Sequence, residues 1–188
     1  MDPEPSSSLP GDPDGFERLW TPHRMAYLDG QDKPSGTGPD ECPFCRSAAS
    51  DDDAASLVVA RGAATFVVLN LYPYNSGHLM VLPYRHVADY TELDQAEAAG
   101  LTQMTRTAIT VLRQVLTPHG FNLGINQGAV AGAGIAAHLH QHVEPRWGGD
   151  SNFLPIVART KAIPELLSRT RERLAAAWPQ DEPQDTPC

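Results

Sequence analysis

The chain is short of positive charge: 14 Lys and Arg stand against 23 Asp and Glu among 188 residues, a formal net charge of −9. Broad binding to a nucleic-acid backbone needs clustered cations, so nucleic acid is not an expected partner. A small phosphate-bearing ligand held by backbone amides and a few imidazoles stays open. Long apolar runs are missing as well. Nothing approaches the roughly 18 residues of a spanning helix, so no membrane association is expected. The opening stretch MDPEPSSSLPGDPDGF is acidic and proline-rich, unlike a secretory signal or a basic transit peptide, and the expected location is the cytoplasm. Cysteine is scarce, with three in all. Two of them form Cys42-Pro-Phe-Cys45, a spacing that in a cytoplasmic chain suggests metal or redox chemistry before a structural disulfide.

Hydrophobic residues make up 41% of the chain, enough for one core, and the length fits one domain with trailing segments. Residues 1–40 read as a largely disordered extension, with a short helix at 16–28 (FERLWTPHRMAYL) that can dock on the body. Residues 41–178 carry the domain, and 179–188 form a disordered tail. Within the domain, 57–60 and 65–70 are β-rich runs separated by Arg61-Gly62, a hairpin signal. Residues 78–83, 121–126 and 139–143 add three strands. A long helix is expected over 91–116, opening on Thr91, Glu92 and Asp94 and closed by Pro118-His-Gly120. A terminal helix is expected over 163–177, with Pro164 in its first turn. Consecutive short strands with segregated helices indicate an α+β fold with an antiparallel sheet.

Residues 138–147, HLHQHVEPRW, place histidines at every second position. On a strand such residues share one face, so His138, His140 and His142 would point the same way. A row of imidazoles has two sharp uses: three metal ligands, or a nucleophilic site with accessory imidazoles. The second has its own logic, because imidazole is largely unprotonated near neutral pH and can bond to phosphorus. The glycine-rich loop 128–134 (GAVAGAG) precedes the row and can turn successive N–H groups toward an anion. Cys42 and Cys45 can supply half of a tetrahedral zinc site. Trp147 can pack on a nucleotide or across a subunit interface, or simply be buried in the core, and Arg146 can meet a phosphate, although a surface ion pair is the commoner fate.

These residues carry a resemblance. HLHQHVE (138–144) is similar to the signature of the histidine triad (HIT) family of nucleotide hydrolases and transferases. TFVVLNLYPYNSGHLMVLP (65–83) is similar to that family's nucleotide-binding strand pair, so the likeness covers most of 42–147. The run AGAGIAAHLHQHVEPRWGGDSNF resembles the actinobacterial branch related to the fragile histidine triad proteins, which includes diadenosine tetraphosphate phosphorylases. The resemblance implies a five-stranded antiparallel sheet with a long helix and a C-terminal helix. It makes His140 the nucleophile that forms a nucleotidyl-histidine, with His138 and His142 positioning its ring and binding phosphate. It assigns Asn126, Gly132, Ala133 and Gly134 to the polyphosphate, Asn70 to the ribose, and Val68 with Leu71 to the base. It lets His86 and His138 complete a structural zinc site with the two cysteines, with no cofactor needed for the chemistry. The implied substrate is a dinucleoside polyphosphate or adenosine nucleotide, with water or inorganic phosphate as acceptor, and the implied assembly is a homodimer or tetramer.

Two departures stand out. Glu144 occupies a usually apolar position and is expected to point away from the phosphate, while Gln141 interrupts the opposite face. Gly134 and Ile135 stand where many relatives have a serine. Other readings are hydrolysis of nucleoside phosphoramidates or adenylyl conjugates, a nucleotide-binding regulator with little turnover, and a module in which the three histidines hold a catalytic zinc.

Overall fold

The computed structural model describes residues 38–150 and 165–179. The expected helix at 16–28, the bulk of the N-terminal extension, Pro164 and the tail from residue 180 lie outside the described residues; the terminal helix begins at Leu167, four residues later than the sequence suggests, because Leu166 is extended. In chain order the elements are α1 (Pro43–Ala49), β1 (Val58–Arg61), β2 (Thr65–Leu69), β3 (Leu79–Pro83), α2 (Gln95–Leu116), β4 (Gly120–Ile125), β5 (Gln141–Arg146) and α3 (Leu167–Ala176). The strands form one antiparallel sheet in the order β1-β2-β3-β5-β4. This is the expected α+β architecture. Among the described residues no helix is long and apolar enough to cross a membrane.

Every residue of β2 and β3 is buried, which is why TFVVL and LMVLP are unbroken apolar runs: the sheet is covered on both faces. Val67, Leu69, Leu79, Val81 and Val143 face α2, meeting Leu101, Met104, Ala108 and Leu112, with Leu174 of α3 beside them. Phe66, Val68, Met80 and Leu82 face the other way, toward Cys42 and Phe44 of the α1 turn. Each such side chain contributes roughly 1.5–3 kcal/mol by leaving water.

α2 starts four residues later than the sequence suggests. Asp94 is its cap, accepting the Glu97 amide at 2.8 Å, while the Glu97 carboxylate accepts the Asp94 amide at 2.9 Å. This reciprocal pair satisfies two otherwise orphaned donors. Leu93 is extended, so Tyr90–Glu92 form a separate single 3-10 turn. The helix stops at Thr117, whose left-handed backbone (φ 49°) precedes Pro118. α1 was not foreseen. It has seven residues, about two turns, begun by Pro43 at its first position, where the missing N–H has no cost.

β5 also begins later than expected. Its ladder with β3 runs only from Val81↔Gln141 to Leu79↔Val143. The amide of Leu139 goes instead to the carbonyl of Val87, at 2.7 Å. His138 and His140 therefore lie on the extended approach to β5, and only His142 is inside it. The loop between β2 and β3 closes through Gly77, whose φ is +76° and whose missing Cβ leaves room for Leu116 and Leu112 of α2. At the other side of the sheet β4 is an edge strand, with Leu123 half exposed on the face that α2 covers elsewhere.

Candidate active site

Strand pairing fixes the row in which the site is built. Val58, Val68, Met80, His142 and Gly124 lie side by side across the five strands. Paired residues share a face, so His142 stands over the surface floored by Val68 and Met80, opposite α2. His140 and His138 lie on the same side, as their contacts with Phe44 show.

The hydrogen bonds assign the proton on each imidazole. His140 is buried, and its Nδ1 lies 2.8 Å from the carbonyl oxygen of His138. A carbonyl only accepts, so Nδ1 carries the hydrogen and Nε2 keeps its lone pair. Burial lowers the pKa of His140, opposed by the bond to the His138 carbonyl. The ring is therefore a neutral imidazole at neutral pH, with its nucleophilic nitrogen defined. His142 meets it edge to face, ring centroids 5.0 Å apart.

Behind His142 stands a fourth histidine. His78 is fully buried, with Nε2 2.9 Å from His142 Nδ1. Its own Nδ1 accepts the backbone N–H of Tyr74 at 3.1 Å, with the Asn70 amide nitrogen at 3.4 Å. Nδ1 of His78 is thus an acceptor, its Nε2 donates to His142 Nδ1, and a neutral His142 carries its proton on Nε2. The ring of Tyr74 lies against both, with centroids 4.8 Å from His78 and 6.2 Å from His142. Sequence reasoning missed His78. It is 64 residues from His142 and ends a turn, so no local spacing links the two. Its position in the quoted strand-pair segment was the available signal.

His138 has a different task. It is fully buried; its Nε2–H donates to the Pro83 carbonyl at 3.0 Å. Its Nδ1 lies 3.4 Å from the sulfur of Cys42 and 3.5 Å from that of Cys45, and His86 Nδ1 lies 3.3 Å from Cys45. The four ligand atoms are all within 4.8 Å of one another. A tetrahedral zinc with bonds of about 2.3 Å to sulfur and 2.0–2.1 Å to nitrogen would separate S and N by roughly 3.5 Å, close to these spacings. Burial pushes the His138 pKa down to about 4, keeping the ring neutral as a ligand must be. Burial and the adjoining Cys42 sulfur push the Cys45 thiol up to about 11. The chemistry and spacing of the four donors fit a metal ion.

The other expected residues divide. Val68 is buried in the row of His142, and Leu71 is exposed in the loop after β2. Asn70 is engaged at both ends of its amide, its oxygen accepting the Tyr72 amide at 3.0 Å and its nitrogen facing His78. Asn126 follows β4, next to Ile125, which pairs with Gln141. In the glycine-rich loop, Gly132 has φ +88°, but its N–H and that of Ala133 close the loop's own turn on the carbonyls of Ala129 and Gly128. Gly134 lies between this turn and the triad. Trp147 is past the far end of β5, seven residues from His140, or roughly 23 Å of extended chain; its amide is held by Asp150. The structure does not bring it to the triad of the same chain.

Gln141 and Glu144 need separate statements. Gln141 faces α2, where its amide donates to the Thr105 hydroxyl at 2.8 Å, so this polar interruption is satisfied. Glu144 does not point away. Two residues beyond His142 in β5 and paired with Asn122, it shares the triad's face. Strand alternation decides its orientation, and the neighbouring Arg146 lies within its electrostatic reach. Arg146 forms the surface ion pair expected of it, bidentate to Asp150 at 2.6 and 3.0 Å.

Comparison with known proteins gives consistent findings. The HIT domain profile matches residues 52–148. The chain is 49% identical over 172 residues to AP-4-A phosphorylase of Mycobacterium tuberculosis, covering 89% of this chain and 87% of that protein. A bis(5'-nucleosyl)-tetraphosphatase (asymmetrical) of Schizosaccharomyces pombe is 32% identical over 95 residues, 50% of this chain and 52% of the other. A crystal structure of a zinc-bound histidine triad family protein from Mycobacterium smegmatis superposes with a TM-score of 0.60 at 26% identity, covering 74% of this chain and 94% of that one.

Proposed function

The chain belongs to the HIT domain family and is a nucleotide-processing enzyme of that family; from this premise we propose that it cleaves diadenosine tetraphosphate, or a related dinucleoside polyphosphate, through a nucleotidyl-histidine at His140. The observation that carries the reading is the ordering of protons: a lone pair on His140 Nε2 beside an N–H on His142 Nε2. In the first step His140 Nε2 attacks the α-phosphorus of one adenosine. The P–N bond forms as the bridging P–O bond breaks, and the electron pair leaves with the nucleoside triphosphate. His142 donates a hydrogen bond from Nε2 to the phosphoryl oxygens, an orientation fixed by the His78 Nε2–H at its Nδ1. In the second step an oxygen of inorganic phosphate, or of water, attacks the same phosphorus and returns the pair to His140.

Val68 and Leu71 would flank the base, Asn70 would meet the ribose, and Asn126 with Gly132, Ala133 and Gly134 would line the polyphosphate. Cys42, Cys45, His86 and His138 would hold a structural zinc, whose contribution is to fix the chain around His138. The edge of β4, uncovered among the described residues and carrying the exposed Leu123, supports assembly as a homodimer, and the acidic balance supports free nucleotides rather than nucleic acid as substrates.

The test is product analysis with diadenosine tetraphosphate and labelled inorganic phosphate. Label in ADP, together with ATP, establishes a phosphorylase. AMP and ATP without label establish a hydrolase. No turnover in either case removes the dinucleotide reading and turns attention to phosphoramidates and adenylyl conjugates.

A further inference from the structure

Phe44 lies between the two cysteines of the Cys42-Pro-Phe-Cys45 turn and is buried. Its ring meets the His138 ring edge-on, centroids 5.6 Å apart at 84°, and lies tilted on the His140 ring at 5.1 Å and 52°. The residues on either side of it supply the two sulfurs that face His138 Nδ1. His138 in turn supplies the carbonyl that holds the His140 Nδ1–H. The His138 carbonyl and the Phe44 ring thus join the His142 edge in holding the nucleophile's ring, and the Phe44 contact is the one flanked by the two donor sulfurs.

The anchoring of α1 is divided. Arg61 secures its C-terminal end through the carbonyls of Ser47, Ala48 and Ser50, at 3.1, 2.7 and 2.8 Å. The N-terminal end, which presents Phe44, packs in one cluster with Phe66, Val68, Met80 and Leu82 and is joined to the triad through the sulfur and imidazole donors. A seven-residue helix has too few internal bonds to hold its first turn unaided. We propose that the Cys42, Cys45, His86 and His138 cluster, when loaded with zinc, controls the nucleophile by seating the Phe44 ring against His140, and that Phe44 is a positioning residue for the reaction. The proposal rests on the reading of His140 as nucleophile. It makes turnover respond to zinc although the ion takes no part in the bond changes. Loss of zinc loosens the first turn of α1, and the Phe44 ring loses its registration with His140, while the His138 carbonyl stays held through the Pro83 bond.

The experiment uses the full chain, zinc-loaded or chelator-treated, as wild type and as Phe44→Ala, with zinc content and kcat on diadenosine tetraphosphate measured for each. Phe44→Ala is expected to keep about one zinc per chain and to lose between about ten- and a hundredfold in kcat. Zinc removal lowers wild-type kcat at least as far, and the chelated variant matches chelated wild type within about threefold, since both changes act on one contact. Unchanged kcat in a zinc-replete variant, or losses that multiply, would overturn the proposal. Phe44→Leu, which keeps most of the buried volume, replaces Phe44→Ala if the latter fails to retain zinc. A readout independent of turnover is the ring ¹⁵N and ¹H resonances of His140, expected to move on zinc removal and to be displaced already in zinc-loaded Phe44→Leu. Static resonances overturn the coupling. Moving resonances in a protein inactive on dinucleoside polyphosphates uphold it and reject the substrate reading instead.

Discussion

His140 is defined at both ring nitrogens, one bonded to the His138 carbonyl and the other left with its lone pair. His140→Ala should lose turnover by several orders of magnitude, because a covalent nucleophile has no substitute, while zinc content stays at the wild-type level. Near-normal turnover in that variant would exclude the nucleotidyl-histidine. The triad itself was legible because alternation writes three side chains of one face into five consecutive residues. Nothing comparable marks His78, whose link to His142 exists only after β3 and β5 pair. Glu144 was misread because an electrostatic argument was set against strand geometry, and the backbone won. A pH effect also belongs to single residues. The Arg146 guanidinium, with the Trp147 amide and Asn75 side chain, holds the Asp150 carboxyl well below the usual carboxylate range. A carboxyl depressed on folding stabilises the native state fully above its unfolded pKa of about 3.9 and loses that contribution as pH falls toward the folded value. Arg146 is partly exposed, so the contribution is about 1 kcal/mol. Melting temperatures measured from about pH 7 down to pH 3 should fall less steeply for Asp150→Asn than for wild type; parallel curves would contradict this.

Elements were readable where their two faces differ or where a cap is written in the sequence, and blurred elsewhere. β2 and β3 could be found as apolar runs, yet only the structure shows which residues face α2. α2 was found by its period, with its start displaced because Thr91 and Asp94 both look like caps and only Asp94 opens the helix. α1 is too short to show a period at all, so the element that carries Phe44 to the triad was invisible. The β2–β3 connection offers the sharpest test at this scale. Gly77 adopts a left-handed backbone, and a Cβ there would collide with Leu116 and press on Leu112. Gly77→Ala should destabilise by about 2–4 kcal/mol, from overpacking together with an unfavourable φ, read as a shift in the urea midpoint. Because the same loop delivers the Tyr74 amide to His78, activity should decline before the protein unfolds. A midpoint unchanged within about 0.5 kcal/mol would mean that the loop yields freely.

At the scale of the whole molecule, β4 has no neighbour on its outer edge among the described residues, and Leu123 stands half exposed there. Assembly through this edge predicts a dimer in sedimentation at micromolar concentration, and Leu123→Asp should shift the protein to monomer. A wild-type monomer at those concentrations would exclude it. Fold class was within reach of the sequence because consecutive short strands with segregated helices leave few other architectures; the spatial order of the strands came only with the structure. Assembly was out of reach as well, since an edge strand reads the same whether a partner covers it or water does.

The two nitrogens of His138 face different fates over generations. Cys42, Cys45 and His86 touch the cluster, so a descendant that abandons the metal can let all three drift. His138 remains tied to Pro83 through its Nε2–H, and that bond still aims its carbonyl at the nucleophile. Genes in which the metal has been given up should therefore lose the cysteines first and keep all three histidines of the row, leaving the first of them as the trace of an ion no longer bound.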